Sequence, residues 1–116
     1  MMRYLSALIT LVILTTSLTG VAQTPDAATW IDVRSVEEYA EGHLDGAANI
    51  PWTEIEEGIA DLELGKDAPI YLYCGAGGRA ELARQWLLRS GYTRVVNAGG
   101  LDDARALKTG DAGSDN

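Results

Sequence analysis

Ile70-Tyr71-Leu72-Tyr73-Cys74-Gly75-Ala76-Gly77-Gly78-Arg79 joins an apolar run, a glycine-rich break and the opening of a helical pattern, with no spare residue between them. Ile70 to Tyr73 reads as a buried strand, bounded by Pro69 and by the glycines. From Arg79 to Ser90 the residues Leu82, Ala83, Trp86 and Leu87 recur at helical spacing, and Gly91 supplies the stop. A strand that feeds a helix through so short a loop is the building unit of a parallel sheet.

The flanking sequence repeats that alternation. Trp30-Ile31-Asp32-Val33 is a short apolar strand, and Ser35 with Glu38 forms a capping box that opens a brief helix through Tyr39 to about Glu41, stopped by Gly42. Ala47 to Ile50 fits a second strand closed by Pro51. Thr53 with Glu56 repeats the capping spacing ahead of a helix whose apolar face is Ile55, Ile59 and Leu62, with Gly65 as its end. Arg94 to Asn97 is a further strand, followed by Gly99-Gly100 and a short helix around Leu101 to Leu107. The pattern predicts an α/β domain over residues 30–108, with a parallel sheet covered by helices on both faces. Residues 23–29 read as a flexible lead-in and 109–116 as a polar tail.

The chain has 116 residues, a formal charge of -8 and a single cysteine. One cysteine excludes an internal disulfide and any zinc-ribbon spacing; neither a metal nor a cofactor is expected. The first 22 residues hold 14 apolar side chains and only Arg3 among the charges. A basic start, an uncharged apolar middle and small residues at Gly20-Val21-Ala22 read as a signal peptide over 1–22, cleaved before Gln23. The competing reading is an uncleaved anchor, because Tyr4 to Ala22 is 19 uncharged residues. Either way the domain is expected in the periplasm, released or membrane-anchored and facing it. What remains carries 8 basic and 17 acidic side chains, a charge of -9, which argues against nucleic-acid binding. No obvious exposed apolar stripe is present, so a monomer is expected.

Cys74 falls where ligands sit in such sheets, beyond the carboxyl end of a strand and at a helix N-terminus. That placement aims backbone N–H groups and the positive end of the helix dipole at the sulfur, and both lower a thiol pKa. Gly75, Gly77 and Gly78 keep side chains out of the loop and permit its N–H groups to turn inward. Arg79 adds a cation with a bidentate fork. The alternative reading of Cys74, a small buried apolar residue beside a plain tight turn, needs one glycine rather than three in four positions. Cys74 with Gly75, Ala76, Gly77, Gly78 and Arg79 therefore reads as a nucleophile in an anion cradle.

The ordered pieces Ile31-Asp32-Val33-Arg34, Glu38-Tyr39, Gly42-His43-Leu44, Gly46-Ala47, Asn49-Ile50-Pro51, Cys74 to Arg79 and Asn97-Ala98-Gly99-Gly100 resemble the rhodanese (sulfurtransferase) family, specifically single-domain exported members of the phage-shock type. The resemblance implies about five parallel strands and a Cys74 that accepts sulfane sulfur from a small anion such as thiosulfate, becomes a persulfide, and hands the sulfur to cyanide or an external thiol. It also implies that Asp32 and Arg34 form an internal ion pair supporting the strand end. Ala80 stands where many members carry Ser, and Leu101 where many have a longer apolar-aromatic pattern. The loop runs six residues from Cys74 to Arg79, one fewer than the C-x5-R loop of protein tyrosine phosphatases, which favours sulfur over phosphate. Two other readings are a non-catalytic module that senses sulfur anions or docks a partner with the same cradle, and a phosphatase or arsenate reductase of the longer-loop class.

His43, the single histidine, invites pairing with Cys74, but a preformed thiolate needs no base and a structural turn is expected there. The run Glu54-Ile55-Glu56-Glu57 suits the solvated first turn of a helix, and Trp30, Trp52 and Trp86 are expected in the core.

Overall fold

The computed structural model describes residues 28–110. They run as β1 (Thr29–Asp32), α1 (Val36–Glu41), β2 (Ala48–Asn49), α2 (Ile55–Asp61), β3 (Ile70–Cys74), α3 (Gly78–Arg89), β4 (Val95–Gly100) and α4 (Leu101–Thr109). The signal-peptide segment, most of the lead-in and the end of the tail lie outside the described residues. The strands form one parallel sheet in the order β2-β1-β3-β4. These are the four strands that the residue pattern predicts; a fifth, which the resemblance implies, is not among the described residues.

Side chains on the two central strands alternate between faces, as the two-residue strand period demands. Ile31, Ile70, Leu72 and Cys74 pack with Val33, Ile55, Ile59, Ala80, Ala83 and Leu87 on the side covered by α2 and α3. Trp30, Tyr73 and Ala98 pack with Leu44, Ala47 and Ala104 on the side of α4. Both faces of β1 and β3 are therefore covered, the condition under which parallel strands are stable. From β1 the chain crosses to β2 at one edge, and from β3 it crosses to β4 at the other. The crevice between the carboxyl ends of β1 and β3 is thus the topological switch point, where such sheets bind ligands.

Local chemistry accounts for most element ends. Ser35 caps α1 by accepting from the Glu38 N–H, and Glu38 reaches back to the Ser35 N–H, so the capping box forms as its spacing predicts. After α3, the Tyr92 N–H reaches the Leu87 carbonyl and the Gly91 N–H that of Leu88, with Gly91 at φ +101. That is the Schellman closure, and Tyr92 and Leu87 share one core cluster beneath it.

Four expectations need correction. The Thr53/Glu56 box does not form: Thr53 lies inside a 3-10 turn, Trp52–Glu54, that Pro51 starts, so α2 begins at Ile55 without a side-chain cap. Gly65 does not end α2. The helix closes at Leu62, and Glu63 takes the left-handed turn at φ +52. On α3 the core face is Ala80, Ala83 and Leu87, while Leu82 is exposed. The helical spacing contained both sets, and only the direction of the sheet selects between them. Trp30 is buried as expected, but Trp52 is exposed and Trp86 is only partly covered, because the 3-10 turn carries Trp52 to the rim of the sheet. Boundaries also move: Thr29 already pairs in β1, β2 narrows to Ala48–Asn49, and Gly99-Gly100 complete β4 rather than follow it.

Candidate functional site

Cys74 is the last residue of β3, and its residue exposure is 1%. Its neighbours Gly75, Ala76 and Gly78 are exposed, so the sulfur sits just below an open loop. The Gly77 N–H donates to Cys74 Sγ at 2.9 Å. Burial pushes the thiol pKa up, but N–H groups of Ala80, Ala76, Gly77 and Arg79 oppose it and hold the pKa below its ordinary value. The expected ring of inward-turned N–H groups at a helix N-terminus is thus present. Gly77 alone among the loop glycines needs positive φ, at +100, while a Cβ at Gly78 would meet nothing. Ala80 offers its N–H to the sulfur and buries its methyl in the core cluster that holds Cys74.

Arg79 is not an open fork. Its Nη1 and Nη2 donate to Glu38 Oε1 and Oε2 at 2.6 and 3.0 Å, an end-on bidentate pair with both side chains about one-third exposed (35% and 36%). Arg79 draws the Glu38 carboxyl down to about 2, against the opposing effect of burial and with help from Ser35. The same contact, with Cys74 adding to it, raises Arg79. The carboxylate that caps α1 therefore also grips the loop cation across the switch point. Sequence spacing identifies Glu38 as a cap and carries no sign of this long-range partner.

Asn97 and Gly100, which carry the resemblance without an assigned role, hold the loop from β4. Asn97 Nδ2 donates to the Gly77 carbonyl at 2.9 Å and to Glu81 Oε2 at 3.3 Å, while its Oδ1 accepts the Gly99 N–H at 2.9 Å. Gly100 pairs with Cys74, and a Cβ there would collide with the Gly75 carbonyl oxygen. Only glycine lets β4 approach the loop this closely.

Asp32 and Arg34 do form the expected ion pair, at 2.7 Å and almost fully buried. They are not brought to the sulfur. Asp32 is in register with Tyr73, which packs on the α4 side, while Cys74 packs on the α3 side. Arg34 donates to the Gly42 carbonyl and lies over the Tyr73 ring at 5.7 Å. Burial, the Leu44 N–H and the adjacent Asp32 together leave the Tyr73 hydroxyl at about 12. His43 stacks on Tyr39 at 3.6 Å and shares a 2.9 Å hydrogen bond with its carbonyl, a structural turn. Among the described residues no group of three or more His, Cys, Asp or Glu side chains is arranged to hold a metal, and no helix is long and apolar enough to cross a membrane.

The family described as the rhodanese-like domain matches residues 17–106. The chain is 46% identical over 74 residues to the thiosulfate sulfurtransferase PspE of Escherichia coli, a match covering 64% of this chain and 71% of that protein. It is 36% identical over 67 residues to the putative sulfur carrier protein YrkF of Bacillus subtilis, covering 58% of this chain but 35% of that protein. Among solved structures it is similar to a rhodanese with anions from E. coli, with a TM-score of 0.64 and 45% identity, covering 66% of this chain and 91% of that one.

Proposed function

The chain belongs to the rhodanese-like family, and from that membership we propose that it moves sulfane sulfur from thiosulfate through a persulfide on Cys74 to cyanide or a thiol. The observation that carries the reading is the sulfur itself: buried, below an open six-residue loop, taking the Gly77 N–H at 2.9 Å and held toward the thiolate by its backbone surroundings.

The Cys74 thiolate attacks the outer sulfur of thiosulfate. The new Sγ–S bond forms as the S–S bond of the donor breaks, and sulfite leaves with the electron pair. The loop N–H groups and the free edge of Arg79 stabilise the charge, which passes from thiolate to persulfide without leaving the cradle. Cyanide then takes the terminal sulfur as thiocyanate, and the thiolate returns. This two-step course predicts ping-pong kinetics. With one cysteine in the chain, the thiol that removes the sulfur comes from another molecule. Export through the leader at 1–22 is part of the same proposal.

Intact-mass measurement after incubation with thiosulfate tests it. The expected result is a gain of about 32 Da that cyanide removes as thiocyanate, as a covalent nucleophile requires. A chain that takes up no sulfur and forms no thiocyanate would be a binding module instead.

A further inference from the structure

Sulfur transfer gives Glu38 no chemical task, yet its carboxylate occupies both terminal nitrogens of Arg79. An end-on pair uses one N–H from each terminal nitrogen and leaves the side edge, Nε with Nη2, for another anion. Nη2 lies against the loop, 3.2 Å from where a Cβ on Gly75 would stand. The guanidinium is thus held between the Glu38 carboxylate and the Cys74 loop. Glu38 already offsets the charge of Arg79, so a thiolate at Cys74 makes two anions to one cation at the mouth of the site. Of the other ion pairs among the described residues, Glu81–Arg84 meets the loop at Gly77, through the Glu81 N–H and Asn97.

We propose that Glu38 is a charge filter: by engaging one edge of Arg79 it fixes the cation against the Cys74 loop while weakening its pull on incoming anions, most of all on dianions. Glu38 is then a positioning and specificity residue that sets which sulfur donors and which reagents reach the thiolate. Part of this deepens the sulfurtransferase reading. The filter on reagents stands without it.

Two measurements on the full chain separate the two ideas. The first is the ratio of Cys74 alkylation rates with iodoacetate, an anion, and iodoacetamide, its neutral counterpart; the ratio cancels the thiolate fraction. Glu38→Gln removes the charge and, because a capping box accepts glutamine at that position as well as glutamate, retains α1. Loss of one screened charge near the sulfur is expected to raise the ratio about fivefold. The neighbouring Glu37→Gln, on the same helix turn but with no Arg79 contact, should leave it unchanged. The second is the ratio of kcat/KM for thiosulfate, a dianion, to that for methanethiosulfonate, a monoanion. Glu38→Gln should raise it about tenfold, chiefly through a lower KM for thiosulfate. An alkylation ratio that is unchanged or lower in Glu38→Gln, or that rises equally in Glu37→Gln, overturns the filter. A wild-type chain inert to both donors overturns the sulfurtransferase reading and leaves the alkylation result to decide on Glu38.

Discussion

The carboxyl ends of the two central strands hold two ionisable groups accommodated in opposite ways. At the end of β1, Asp32 is buried against Arg34, side chain to side chain, and the arginine is closed off further by the Gly42 carbonyl. At the end of β3, Cys74 is equally buried but meets backbone N–H groups rather than a dedicated counter-ion. A buried charge with a bidentate partner has no capacity left and serves to hold the chain in place. A buried charge held by fixed backbone dipoles keeps its electron pair available, and the same dipoles suit whatever anion replaces it. Adjacent strand ends in one sheet thus make a brace at Asp32 and, on the proposed function, a reactive centre at Cys74.

Breaking each end should give different failures. The largest expected effect is Cys74→Ser, which should reduce thiosulfate:cyanide transfer to background and remove the mass gain; full activity in that variant would sink the proposed function. Asp32→Ala strands the Arg34 charge in the interior and should destabilise the fold by about 3–5 kcal/mol in urea titrations. In the population still folded, the pH profile of Cys74 alkylation should stay in place. A shifted profile would mean that the two strand ends are one electrostatic unit. Gly100→Ala should displace the Gly75 carbonyl and misaim the loop donors, lowering kcat by about 100-fold. Asn97→Ala, which releases Gly77 while leaving the loop sequence intact, should lower the rate about tenfold with a loss of about 1 kcal/mol of stability.

The smallest effect concerns pH. The thiol pKa is depressed below 9.0 in the folded chain, so its stabilising contribution is complete above the unfolded value and is lost as pH falls through the folded one. The stability difference between wild type and Cys74→Ser should therefore grow as pH rises toward 9.0, by about 1.4 kcal/mol per unit of depression. A flat difference would place the thiol at its ordinary pKa and remove the contrast with Asp32.

Much of this was legible along the chain because it depends on near neighbours. The Ser35–Glu38 box, the Gly91 stop and the strand running into Cys74 are set by residues a few positions apart. The errors have a common cause. Thr53 and Glu56 have capping spacing, but Pro51 starts a 3-10 turn first; Leu82 has helical spacing, but the sheet lies under Ala80, Ala83 and Leu87. Local pattern proposes several faces and caps, and packing selects one. The site divides the same way. Cys74, its glycines and Arg79 are contiguous and could be read together. Glu38 lies 41 positions from Arg79 and Asn97 lies 20 from Gly77, and no periodicity connects them.

The sequence by itself determined an acidic α/β domain with one thiol at the junction of a buried strand and a helix, because hydrophobic period and glycine placement are local properties of the chain. Tertiary structure alone decided what surrounds that thiol: which face it takes, that Gly100 passes against its loop, and that the expected open arginine is already held by Glu38. Those depend on how β1, β3 and β4 lie beside one another, and only their pairing brings the distant side chains within hydrogen-bonding reach.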